Sequence, residues 1–326
     1  MFLEGIIFVI LTLTNLREAI VNAIPASLKN AIGAGIGLFI AFIGLQNAGV
    51  ISRDDATLVS LGEITSGAPL LAMIGLAITS VLVVKKVRGA LLIGILLTTA
   101  IGIPMGITHY DGLVSAPHSI APIFCQFEWS EVFSLDMVVV IFTFLFIDMF
   151  DTIGTVVGVC TKAGMLDSQG RIPRVKQVFM SDAVATVAGA CFGTSTTTTY
   201  VESAAGVAQG GRSGLTSFVV ACCFFVALFF CPLFLAIPSA ATAPVLVIVG
   251  LFMLSPIRNI PLEDYAESIP AFICVVMMPL AYSISDGILL GMISYVVINV
   301  LCGHFKRLTP TMYVLAVLFM MKYLFI

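Results

Sequence analysis

Asp148, Asp151, Asp182 and Glu202 stand in some of the most apolar sequence of this chain, with no Lys or Arg placed beside them to neutralise them. A charge near the middle of a bilayer costs roughly 3 kcal/mol even on lenient scales, so carboxyls kept there face an aqueous cavity, a bound solute or a proton path. In the run Phe142–Thr155, helical spacing puts Asp148, Asp151 and Thr155 on one stripe with Thr152 on its flank. Two carboxyls one turn apart repel when both are ionised, which suits a pair that shares and passes a proton. The same residues would serve equally to hydrogen-bond neighbouring helices or to cap a break at Gly154.

A second constellation follows, from Gly193 to Arg212. Residues 194–199 are six consecutive Thr and Ser, whose branched or hydroxylated side chains favour extended backbone over helix. After Glu202 come small residues, among them Gly206, Gly210 and Gly211. The pattern predicts a broken crossing: an extended stretch at membrane depth, then a half-helix that starts near Glu202 and ends before Arg212. Non-helical backbone is tolerated there only where protein buries it or a cavity solvates it. The alternative is a Thr run that only bonds to adjacent helices. Asp182 reads either as a further site acid or as a helix cap paired with Arg174 or Lys176. Phe144, Phe146, Phe150 and Tyr200 have faces that stack on flat ligands, although packing and lipid contact are the commoner uses.

The elements that must position these residues are membrane helices. The 326 residues are 60% hydrophobic and 10% charged, with a mean hydropathy of +1.13, more apolar surface than a water-soluble core can hide. Alternating strand-type patterning is absent, so the expected fold class is an all-α polytopic membrane protein rather than a barrel. Ten or eleven crossings are predicted, beginning with 2–16, 31–50, 67–84, 89–106 and 137–160, with 311–325 either a further span or a surface helix. Pro244, Pro270 and Pro279 would kink helices or merely pack in them. The eight Cys form no CxxC pair and the three His lie near segment ends, so neither a metal site nor a cofactor is expected.

Placing the linker with Arg17 and Lys29 in the cytoplasm sends 13 of the 15 Lys and Arg to that side, with Arg53 outside and Lys322 undecided. The outer segments are then Ile51–Ser66 and the longer 107–135, whose Phe127 and Trp129 fit an interfacial belt.

At the quoted residues the chain resembles the nucleobase:cation symporter-2 family, and within it the AzgA-like hypoxanthine, guanine and adenine permeases. The matching stretches are Asn22–Lys29 with Gly33–Ala41, Phe146–Thr155, Gly193–Ser195 with Tyr200–Ser203, Gly206–Ala208 with Gly210–Thr216, and Glu267–Phe272 followed by Met277-Met-Pro. The resemblance implies two inverted repeats of seven helices, split into core and gate. It implies Asp148 and Glu202 as substrate contacts with Tyr200, Val201 and Ser203 beside them, and Asp148, Asp151 and Glu202 as the proton-coupling group. The family's Asn-bearing motif of the third helix does not occur here, so the chain reads as beginning in the fourth helix. As written it would then not transport.

The expected division is 1–26 as the end of a core helix with its linker, 27–106 as gate, 107–135 as an outer loop, 136–238 as core, 239–303 as gate and 304–326 as an apolar tail. The implied activity is proton-coupled import of purine bases through the cell membrane, with a purine base and lipid as partners, nucleic acid excluded and homodimerisation open. The rivals are a uracil or xanthine permease of the same fold, an anion exchanger and an intramembrane aspartyl protease. An acid-rich site repels anions, and the protease's Tyr-Asp and Gly-x-Gly-Asp settings are missing.

Overall fold

The structure is a computed structural model and describes residues 1–110, 112–117, 119–127, 129, 135–167 and 171–325. The expected outer loop over 107–135 therefore lies partly outside the described residues, as does the end of the apolar tail.

Helix α1 (Phe2–Leu13) stops at Asn15, whose backbone takes the left-handed conformation (φ 59°) that Asn tolerates better than most residues. The chain then turns by 73° into α2 (Leu16–Ala23). Pro25 ends α2 by forcing Ile24 into extended backbone, and α3 (Ala26–Asn47) begins immediately after it. A single helix over 2–16 followed by a linker is thus corrected to a broken pair.

Strands β1 (Ile51–Asp54) and β2 (Leu58–Leu61) form an antiparallel hairpin with Asp54 opposite Leu58. The Asp54 carboxylate accepts from the N–H groups of Ala56 and Thr57 and closes the turn. An all-α chain with a plain loop at Ile51–Ser66 did not anticipate it; strands of four residues are too short for alternation to register.

Helices α4 (Gly67–Val84), α5 (Ala90–Gly102), α6 (Leu135–Ala163) and α7 (Val175–Cys191) follow. A non-helical stretch then leads to α8 (Ser203–Ala208), α9 (Gly214–Ala227), α10 (Cys231–Leu235) and α11 (Ser239–Met253). The chain closes with α12 (Tyr265–Leu280), α13 (Ile284–Leu301) and α14 (Pro310–Phe325).

Among the described residues five helical stretches are long and apolar enough to cross a membrane: Ala26–Asn47, Gly67–Val84, Phe144–Ala163, Ser239–Asn259 and Ile284–Leu301. The bent α1–α2 pair would make a sixth. The predicted ten or eleven full crossings are too many by this measure, because helices such as α5 and α9 span only about 20 Å at about 1.5 Å per residue.

The chain forms two compact units. The first holds Met1–Ile36, Ser119–Val207 and Met253–Ile326. Here α1 packs on α7, the α12–α13 hairpin packs on α6, and α14 lies against α13 and α2. Its core includes Phe150, Ile153, Phe179, Met278 and Phe319, with the Phe150 and Phe319 rings edge to face at 4.9 Å.

The second unit holds Gly37–His118 and Ala208–Phe252. Its α4–α5 contact is a reciprocal exchange of small residues. A Cβ at Gly75 would lie 2.7 Å from the Thr98 side chain, and one at Gly94 would lie 2.3 Å from Thr79 Oγ1. Each Thr hydroxyl donates back into its own helix at 2.7 Å, Thr79 to the Gly75 carbonyl and Thr98 to that of Gly94, so no polar atom is left unpaired at the seam.

Candidate functional site

All the acids singled out above lie in the first unit. Helix α7 ends at Gly193, in the left-handed conformation at φ +76°, and residues 194–199 then run without helix. Turns at Tyr200–Glu202 lead into α8, whose first residue is Ser203. The expected break at Glu202 and the short helix before Arg212 are where the Thr run and the small residues placed them.

Hydroxyls hold the strand. Thr186 of α7 donates to the Thr197 carbonyl at 3.0 Å, and a Cβ at Gly189 would strike the Thr197 hydroxyl at 2.3 Å, so the strand lies directly on α7. On α6, Thr196 donates to Asp148 Oδ2 at 3.0 Å, and Thr152 and Thr198 share a hydrogen bond of 2.7 Å. Asp148 and Thr152, one turn apart on α6, therefore both face the strand.

Asp151 does not join them. Its Oδ1 accepts from the Ser285 N–H at the start of α13, at 3.1 Å. The single stripe of two carboxyls is thus divided: Asp148 meets the strand and Asp151 meets a helix N-terminus, a favourable place for an acid. Residues 148 and 151 are about 60° apart around a helix, enough for different neighbours in a tight bundle.

Of the remaining candidates, Glu202, Tyr200 and Ser203 are exposed and Val201 is half-buried. Phe144 is exposed, whereas Phe146 and Phe150 pack on each other and on Phe319. A cavity of about 580 Å³ lies beside the strand and is lined by Gln177, Ser181, Asp182 and Thr197–Thr199. It falls in the size range of small-molecule sites. Asp148 and Glu202 are not among its lining residues.

Asp182 departs most from expectation. It pairs neither with Lys176 nor with Arg174; its Oδ2 lies 3.0 Å from Arg17, 165 positions away in the chain. Arg17, assigned above to a cytoplasmic linker, is fully buried between the rings of Phe8 and Phe179, at 4.4 and 4.5 Å. Sequence neighbours gave no hint of this partner, because the 73° bend brings α2 onto α7.

Sequence reasoning also passed over Glu4, an acid within the apolar run of α1 that carries the same signal as the four it chose. Among the described residues no group of three His, Cys, Asp or Glu is placed to hold a metal ion.

Hydroxyls that donate and accept, set beside a buried carboxylate on non-helical backbone, make an adaptable polar surface inside an apolar bundle. That arrangement is what a membrane carrier needs for a polar solute. Residues 1–316 match a family model described as a permease family. The chain belongs to this permease family.

The family is the nucleobase:cation symporter-2 group that the motifs resemble. The permease is 44% identical to the guanine/hypoxanthine permease PbuG of Bacillus subtilis, over 100% of this chain and 74% of that protein. It is 42% identical to the guanine/hypoxanthine permease PbuO of the same organism, over 98% of this chain and 76% of that protein. Against the adenine permease AdeP of Escherichia coli the figures are 41%, 100% and 73%. Together with its apolar helices, membership makes the permease a multi-pass membrane protein.

Proposed function

We propose that this permease carries purine nucleobases across the cell membrane by proton symport. The observation that carries the reading is the Asp148–Thr196 hydrogen bond. It ties a carboxylate in the middle of a membrane helix to the non-helical strand that leads into Glu202. The names of the relatives, guanine/hypoxanthine and adenine permeases, support purines as the solute.

A neutral purine presents ring N–H donors and carbonyl or ring-nitrogen acceptors along flat edges. Asp148 and Glu202 accept from the donors, the Thr hydroxyls and the backbone at Tyr200, Val201 and Ser203 serve the remaining edge, and a base lacking these groups leaves polar atoms unpaired. Protonation of the Asp148, Asp151 and Glu202 group removes charge that would otherwise resist movement through lipid, which couples the proton to the solute. On this reading the fold is of the inverted seven-plus-seven kind. Helices of 136–238 then belong to the solute-holding core and those of 27–106 and 239–303 to the gate.

The test is uptake of radiolabelled hypoxanthine, guanine and adenine by cells lacking their own purine permeases. Wild-type uptake that collapses when the pH gradient is dissipated, and is lost in Asp148→Asn and Glu202→Gln, is the expected result. Uptake of uracil or xanthine in place of these bases would overturn the purine assignment, and unimpaired uptake by both variants would remove the two acids from the site.

A further inference from the structure

Two free cysteines meet at the end of α7. Cys191, the last residue of that helix, is half-buried, and Cys125, from the segment before α6, is exposed. The backbone N–H of Cys125 donates to the Cys191 carbonyl at 2.8 Å. Standard bond lengths then hold the two Cα atoms within about 7 Å, inside the span that a disulfide bridges. The two thiols are themselves hydrogen-bonding neighbours.

The approach is more than one touch. The Phe124 and Phe192 rings lie 5.7 Å apart, and a Cβ at Gly193 would lie 3.0 Å from the Ile123 side chain. Residues 123–125 are therefore seated on residues 191–193. Cys125 is turned onto the helix by left-handed backbone at φ 54°, a conformation uncommon for a residue with a side chain. Two thiols held together in this way react with each other at a high effective concentration.

The two ends of α7 differ in charge. Arg171, Arg174 and Lys176 lie at its start, whereas 107–135 contains no Lys or Arg. By the positive-inside bias the Cys125–Cys191 end faces out of the cell, where thiols are not kept reduced.

We propose that Cys125 and Cys191 close a disulfide on the outward face, and that this bridge clamps the glycine hinge at Gly193 from which the site strand departs. The exposed Cys125, as thiolate, attacks one sulfur of an external low-molecular-weight disulfide and expels one thiol. Cys191 then attacks the mixed disulfide at the Cys125 sulfur and expels the second. The two protein thiols lose two electrons, the external disulfide is reduced to two thiols, and the two protons pass to the departing thiolates. Neither the solute nor the proton of the reading above enters this inference.

Right-side-out membrane vesicles carrying the permease, treated with oxidised glutathione and then blocked with a maleimide, provide the test. Peptide mapping should find Cys125 joined to Cys191 in wild type, and the bridge should vanish with dithiothreitol and in Cys125→Ser. The same oxidation should slow amide hydrogen exchange at 193–199 by about tenfold. It should also raise the unfolding temperature of the purified protein by about 5 °C, with neither change in Cys125→Ser or Cys191→Ser.

Thiols that stay free, a glutathione adduct left unresolved on Cys125, or a bridge to any other cysteine would each defeat the proposal. So would a Cys125–Cys191 bridge that leaves exchange at 193–199 as it was, because the hinge is then not clamped.

Discussion

The guanidinium of Arg17 and the carboxylate of Asp182 lie 3.0 Å apart with both side chains almost wholly sealed, so the α1–α2 bend and α7 are joined by an ion pair inside the unit. Arg17 Nε and Asp182 Oδ1 make no further hydrogen bond, which leaves the pair incompletely satisfied. Removing one partner strands a charge, whereas removing both removes the problem.

Arg17→Met should therefore destabilise the protein by about 3–5 kcal/mol, while Arg17→Met with Asp182→Leu recovers most of that loss. Thermal unfolding of the detergent-purified variants measures both. Equal instability of the single and double variants would mean that the pair is not the source of the cost.

Thr196→Val removes the hydroxyl that donates to Asp148 while keeping shape and β-branching. The lost hydrogen bond to a charged group costs about 1.5–3 kcal/mol of folding stability, and the released carboxyl should also weaken purine binding. Thr198→Val, which loses the bond to Thr152, should weaken binding by less. Equilibrium binding of labelled base to membranes carrying each variant decides the order.

Gly94→Ala drives a methyl group into Thr79 at the α4–α5 seam and should cost about 1–3 kcal/mol. Gly206→Ala, in the six-residue α8 with nothing within 4 Å, should be neutral or raise stability by up to about 1 kcal/mol through helix propensity. Unfolding temperatures of the two variants, measured side by side, check the contrast.

Asp264 caps α12 by accepting from the Ala266 N–H at 3.1 Å and from Arg307 at 2.8 Å. The Arg307 hydrogen bond is the main reason its carboxyl titrates below the ordinary 3.8, against a smaller opposing effect of desolvation. Its folded-state pKa is depressed, so the stabilisation is fully present above the unfolded value and is lost as pH falls through the folded one. The stability gap between wild type and Asp264→Asn should thus be constant near neutrality and close below about pH 4. A gap that persists in acid would assign the effect to something other than this carboxylate.

Hydropathy and residue type were enough to make this a polytopic helical membrane protein. Apolar runs in lipid must satisfy their backbone internally, and a Thr run followed by an acid and glycines cannot continue a helix. The break at Tyr200–Glu202 and the depth of Asp148 were legible for that reason, being properties of single segments. Partners were not. Asp182 finds Arg17 only because Asn15 turns the chain onto α7, and Asp151 leaves Asp148 for Ser285 because α13 arrives from 134 positions further on. Which charges are neutralised and which are stranded depends on distances between elements far apart in the chain, and only the packed tertiary structure sets them.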